Sequence, residues 1–284
     1  MLIGSIRVIR VLFELELLVT SEELDGLWDY QDPGASEFRF RDLLLDEADA
    51  DSCAEDSTQI ARALGLQGRF DDANAMLDEI ESELSDRSAR VRVRYLLERG
   101  RVLNSSGDAV ASRPLFIQAW KAARGAGDDF YAIDAAHMLA VVEPSEKQLR
   151  WYHRAAELAE ESDEPRARNW LGSLYNNAGW SYCESNHFKD ALAMFEKALA
   201  WHREDGDARK IRIAEWTVAR CFRSLGRVEE ALVIQERLLD EWERAGEPDL
   251  YVFEELGECL VALGRGDEAK PYFDDAERLS VAKK

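Results

Sequence analysis

From Leu171 to Leu199 the chain carries two apolar stripes, each with the period of roughly 3.6 residues that marks one face of a helix. Leu171, Leu174, Tyr175, Ala178 and Tyr182 form the first stripe; Phe188, Ala191, Leu192, Phe195, Ala198 and Leu199 form the second, with Lys189, Asp190, Glu196 and Lys197 turned away. Between them lies the short polar segment Ser185-Asn186-His187, whose asparagine can take the left-handed conformation that ends a helix. The pattern predicts a helical hairpin. Gly179, Ala191 and Ala198 fall where two helices, and then the next hairpin, must approach closely.

The same order of residues recurs along the chain. Gly179, Tyr182, Asn186, Ala191, Phe195 and Ala198 are matched by Gly257, Leu260, Gly264, Ala269, Phe273 and Ala276. Further copies are Ala219, Phe222, Gly226, Ala231, Gln235 and Leu238; Gly100, Leu103, Gly107, Ser112, Phe116 and Ala119; and Ala61, Leu64, Gly68, Ala73, Leu77 and Ile80. A degenerate copy keeps Ala136, Leu139, Gln148, Tyr152 and Ala155 but has Glu143-Pro144 at the turn, with Ser145 placed to cap the helix that follows. On these residues the chain resembles the tetratricopeptide repeat family over roughly residues 55 to 280. The turn residues are spaced by more than the roughly 34 residues usual for that repeat. The spacing, and the run Tyr175-Asn176-Asn177-Ala178, resemble the longer repeats of kinesin light chains. The resemblance implies an all-α fold, a right-handed superhelical α-solenoid of stacked helix-turn-helix repeats.

The expected organisation is a single elongated domain, because each repeat buries itself only against its neighbours. Residues 1–20 form an N-terminal extension, residues 21–50 an imperfect leading hairpin, and residues 51–284 the solenoid of about six repeats. In the extension, Arg7, Arg10, Glu14 and Glu16 interrupt the apolar run, which excludes a membrane span and an export signal. In the leading hairpin a helix is expected from Ser21, broken by Asp32-Pro33-Gly34 and resumed from Ser36 to Ala48, with Trp28 packed on the first full hairpin. Pro114 and Pro271 fall early in second helices, where first-turn amides lack partners and a proline costs least.

Charge and chemistry narrow the function. A net charge of −21 disfavours nucleic acid and anionic membranes, which are bound through Lys and Arg. Cys53, Cys183, Cys221 and Cys259 show no paired-ligand spacing, so buried thiols in a reducing cytoplasm are expected, with Cys221 and Cys259 near each other in successive repeats. No phosphate loop, HExxH or GxSxG is present, and Cys183 with His187 lacks a third group to orient the base. Neither an enzyme, a metal nor a cofactor is implied.

In proteins of the resembled family, first helices line a concave groove that takes an extended peptide or a partner's helix. Carried onto this chain, Arg94, Leu97, Arg101, Asn104, His137, Asn176, Asn177, Trp180, Trp216, Arg220 and Arg223 point inward as the non-core residues of first helices. The expected function is therefore a non-enzymatic adaptor or scaffold that binds a protein or peptide segment. Arg94 with Arg101 and Arg220 with Arg223 flank the two asparagines, and guanidinium groups favour carboxylate or phosphate, so an acidic or phosphorylated segment is expected. Ile213 and Thr217 stand where a carboxylate clamp for chaperone tails would place basic residues. Two alternatives are a self-associating module, in which Trp180 and Trp216 bury in a homo-oligomer, and a peptide-sensing regulatory protein.

Overall fold

The computed structural model describes residues 24–46 and 49–282; the expectations for residues 1–20 and for a helix start at Ser21 lie outside these residues. Among the described residues every regular element is helical. A 3₁₀ turn, Asp25–Leu27, precedes α1 (Pro33–Asp46). The six expected hairpins follow: α2 (Ala50–Leu66) with α3 (Phe70–Glu83), α4 (Ala89–Ser105) with α5 (Ala109–Ala126), and α6 (Asp129–Val142) with α7 (Ser145–Glu161). After the short α8 (Pro165–Arg168) come α9 (Leu171–Glu184) with α10 (Phe188–Asp205), α11 (Ala208–Ser224) with α12 (Val228–Ala245), and α13 (Leu250–Ala262) with α14 (Gly266–Ala282). Backbone packing divides the chain into two compact units, Met1–Leu174 and Tyr175–Lys284. Each is a stack of hairpins.

The turns form for the reason the sequence suggests. Gly68, Gly107, Asn186, Gly226 and Gly264 all have φ between 59° and 99°, where a side chain is disfavoured and glycine or asparagine is the usual solution. In each case the next residue's N–H reaches back across the helix end: Arg69 to Leu64, Asp108 to Leu103, His187 to Tyr182, Arg227 to Phe222 and Arg265 to Leu260, all within 2.8–3.0 Å. These bonds satisfy carbonyls that a helix end would otherwise leave open. Several first helices start on an aspartate or serine whose side chain accepts a first-turn N–H, as Asp49 does from Ser52 and Asp128 from Tyr131.

Packing follows the repeat register. Ala61, Ala73, Ser112, Phe116, Ala119, Ala136, Tyr152, Ala191, Phe195, Ala219, Ala231 and Leu238 are fully buried. At three hairpins a glycine of the first helix faces a phenylalanine of the second: Gly100 against Phe116, Gly179 against Phe195 and Gly257 against Phe273.

Three local expectations change. The Asp32-Pro33-Gly34 segment starts a helix, because the Asp32 carboxylate accepts the Ala35 N–H at 2.9 Å and Pro33, which needs no partner for its nitrogen, takes the first helical position. At the degenerate turn the extended conformations of Glu143 and Pro144 replace the left-handed glycine, and Ser145 lies inside the helix with Pro144 at the capping position. Pro114 and Pro271 sit beyond the first turn, inside α5 and α14. Cys221 accepts a hydrogen bond from Cys183 and donates to the Phe188 carbonyl at 3.2 Å. The expectation for Trp28 holds: its indole N–H donates to Gln59 of α2 at 3.1 Å.

His202 sets an acid limit on the second unit. Burial, and secondarily Lys210, lower its pKa from 6.5 to about 4. Between those values the unfolded chain binds a proton that the folded chain does not, so stability is present above pH 6.5 and is lost as pH falls toward 4, by on the order of 3 kcal/mol. A His202→Gln variant is expected to show a shallower decline between pH 6.5 and 4; the same slope as the wild type would exclude this histidine as the cause.

Candidate functional site

The first helices hold the residues expected to line a binding face, and each unit arranges them differently. In the first unit, α4 carries Arg94, Leu97, Arg101 and Asn104, and α6 carries His137. Leu97 is buried in the core, which removes it from any surface. Arg94 is buried as well. Its guanidinium donates to Glu55 of α2 at 2.9 Å and lies 5.5 Å from the Tyr131 ring. Arg101 donates to Glu98 on its own helix and to Asp134 on α6. Burial opposes its charge, and the two carboxylates more than offset that, so its pKa rises above the ordinary arginine value. Arg62 of α2 completes the line, 3.8 Å from Glu98.

These groups border a cavity of about 250 Å³ among α2, α4, α6 and the start of α9. Arg62, Arg101, Asn104, Asp134, His137, Trp170 and Ser173 form its polar lining; Leu66, Val102, Met138 and Val141 form its apolar walls. Leu66 and Ser105, both exposed, mark where it opens to solvent. Trp170 packs against His137 with ring centroids 5.2 Å apart. Trp170 and Ser173 belong to this lining, and the Trp170 indole N–H and the Ser173 hydroxyl are buried with no hydrogen-bond partner. Polar atoms left in this state cost stability and call for an explanation.

In the second unit, Asn176, Asn177, Trp180 and Trp216 are all buried. Trp180 meets Phe195 at 5.2 Å and Trp216 at 6.3 Å, and the Trp216 indole N–H donates to the Tyr251 carbonyl at 3.0 Å. The reason for expecting these tryptophans to drive self-association is therefore met inside the unit. Arg220 lies 5.4 and 5.5 Å from the Trp180 and Trp216 rings, a cation–π arrangement, with Glu255 4.0 Å away. Arg223 is held by Glu255, at 3.1 Å for one of two hydrogen bonds, and by Glu258 at 3.6 Å. Both polar atoms of the Asn176 amide and the Trp180 indole N–H are buried without a hydrogen-bond partner.

The expected basic character is thus met by acids of the fold itself. Arg94 pairs with Glu55, Arg101 with Asp134 and Arg223 with Glu255, partners 39, 33 and 32 residues apart. That interval is about one repeat, so the acids on the neighbouring first helix were visible in the sequence. Trp170 and Ser173 were not singled out: Trp170 precedes the helical stripe, and Ser173 lies among core residues at i−3 from Asn176. The Cys183 thiol donates to Cys221; this bond, then burial, raises the Cys183 pKa, the same bond lowers that of Cys221, and burial pushes Cys259 up to about 12. Among the described residues, no group of three His, Cys, Asp or Glu is placed to hold a metal ion, and no helix is long and apolar enough to cross a membrane.

A sequence profile described as tetratricopeptide repeat matches residues 171–204, the α9–α10 hairpin. No curated protein matches the chain. Among solved structures, the chain is similar to the apo form of RapI, with a TM-score of 0.73 and 14% identity over 91% of this chain and 74% of that one. It is also similar to a signal transduction ATPase with numerous domains from Pyrococcus horikoshii that has a tetratricopeptide repeat sensor, with a TM-score of 0.70 and 11% identity over 88% of this chain and 39% of that one. A third is NprR in complex with its cognate peptide NprX, with a TM-score of 0.53 and 16% identity over 91% and 79% of the two chains. At these identities the likeness is one of fold.

Proposed function

We propose that this tetratricopeptide repeat protein is a non-enzymatic interaction protein that holds a peptide segment of a partner against the inner residues of its first helices, in an adaptor or regulatory role. The observation that carries the reading is the cavity of the first unit, where two buried hydrogen-bonding groups stand without partners beside apolar walls. A ligand site has this composition: mostly apolar lining, with a few converging polar groups that fix orientation. The unsatisfied Asn176 amide in the second unit supports it, since one amide donates and accepts at once and so suits a peptide backbone. The structure of NprR with its cognate peptide supports it as a precedent of fold. The paired arginines weaken the expectation of an acidic or phosphorylated segment, so net negative charge is not part of the proposal.

The test is a peptide library panned against the wild-type protein, with the selected peptides measured by calorimetry against Ser105→Trp. Ser105 is exposed at the cavity mouth, so a tryptophan there obstructs entry without touching the core. A loss of about tenfold or more in affinity, which corresponds to about 1.4 kcal/mol, is the expected result. Peptides that bind both proteins equally would remove the cavity from the account.

A further inference from the structure

We infer that the cavity of the first unit selects an uncharged aliphatic residue, held through its own amide carbonyl, and rejects acidic residues and free carboxylates. The inference rests on the peptide-binding reading for its biological setting, but the chemistry follows from the cavity.

The two groups without partners decide the polarity of the ligand. An indole N–H is a donor only, and a hydroxyl can donate as well; Trp170 is 9% exposed and Ser173 1%. The fitting ligand group is therefore an acceptor. Carbonyl and carboxylate are the candidates, and the local charge separates them. Arg62 and Arg101 are balanced by Glu98 and Asp134, linked in the order Arg62, Glu98, Arg101, Asp134. A second oxygen of Glu98 is buried with no hydrogen-bond partner. A carboxylate entering this balanced set would add one uncompensated negative charge in a low-dielectric place, next to two existing carboxylates, which is strongly unfavourable. An amide carbonyl takes the same two hydrogen bonds and adds no charge.

Size and shape complete the class. About 250 Å³ falls below the range of drug-sized sites, roughly 300–1,000 Å³, so one residue fits and a longer segment does not. The walls of Leu66, Val102, Met138 and Val141 are aliphatic or thioether groups, matched by a leucine- or isoleucine-sized side chain.

The experiment is saturation-transfer NMR on the full chain with three probes: N-acetyl-leucine N-methylamide, N-acetyl-leucine with its free carboxylate, and N-acetyl-aspartate N-methylamide. The first is expected to bind, and the other two at least tenfold more weakly. Trp170→Phe keeps an aromatic ring, though a smaller one, and removes the donor; Ser173→Ala removes the hydroxyl. Each is expected to weaken the leucine amide by about threefold to tenfold, the worth of one neutral hydrogen bond, and thermal melting of both variants establishes that the fold persists. Equal or tighter binding of the carboxylate probe, no binding of the leucine amide, or unchanged affinity in both variants overturns the inference. If selected peptides bind and lose affinity in Ser105→Trp while the leucine amide does not bind, this inference fails and the peptide-binding reading stands. If the leucine amide binds and no peptide does, the reading fails and the inference stands.

Discussion

Leucine at Gly179 is expected to lower the stability of the second unit by about 1–3 kcal/mol, the usual cost of forcing extra atoms into a packed core. A Cβ at this position would stand 2.5 Å from Cε1 of Phe195, nearer than two carbons approach without displacement. The ring is fully buried and packs on Trp180, so it has nowhere to go. Even alanine is expected to destabilise here, although replacing a mid-helix glycine by alanine ordinarily gains roughly 0.5–1 kcal/mol. The three glycine–phenylalanine hairpins make the claim quantitative. Gly100 meets Phe116, also fully buried, whereas Gly257 meets Phe273, a ring 36% exposed on the terminal hairpin and free to swing outward. In urea denaturation, alanine at Gly100 and Gly179 should lower the midpoint clearly, and alanine at Gly257 least. Three midpoints equal to that of the wild type would mean that these close approaches are absent from the folded protein.

Removing the Arg223 side chain is expected to be the most damaging single change on the first-helix faces of the second unit. Glu255 is 2% exposed and receives both hydrogen bonds of this arginine. With Arg223→Ala the carboxylate stays buried, its remaining cation Arg220 lying 4.0 Å away. Breaking one side of a buried pair costs roughly 3–5 kcal/mol; the residual exposure of Arg223 and the nearby Arg220 place the expectation at the lower end. Replacing both partners by apolar residues of similar size, Arg223→Met with Glu255→Leu, should recover most of the loss, because the expense lies in the stranded charge. Thermal or urea unfolding of the two variants decides the matter. A single variant as benign as an exposed-surface change would show that the pair is not buried in solution.

The hairpins were legible because the repeat writes the same local physics six times. A small residue at the helix crossings and a glycine or asparagine at five of the six turns leave few other solutions, and the left-handed conformation of Asn186 followed from its place equivalent to Gly107 and Gly226. Legibility stopped where a feature depends on the neighbouring hairpin. Arg94, Arg101 and Arg223 looked like an open basic face because each was read along its own helix; their acids sit one repeat away. Leu97 was assigned to the groove for the same reason, while the fold places it in the core. The cavity was out of reach altogether, since it joins Arg62, Arg101, His137 and Ser173, four side chains brought together only by stacking.

Each glycine–phenylalanine contact joins residues sixteen positions apart, and each turn is closed by a hydrogen bond spanning five residues. Contacts this local form without closing long loops, and chains rich in them fold quickly. On a ribosome, where the amino-terminal part of a chain is available first, α2 can close on α3 while α13 is still unmade. Glu55 precedes Arg94 and Glu98 precedes Arg101, so each arginine meets one carboxylate already synthesised, and Asp134, the second partner of Arg101, follows 33 residues later. Arg223 instead waits for Glu255, which leaves the ribosome 32 residues later. During synthesis the second unit therefore passes through a stage in which Arg223 still lacks Glu255, and its final hairpin is the step that completes this pairing.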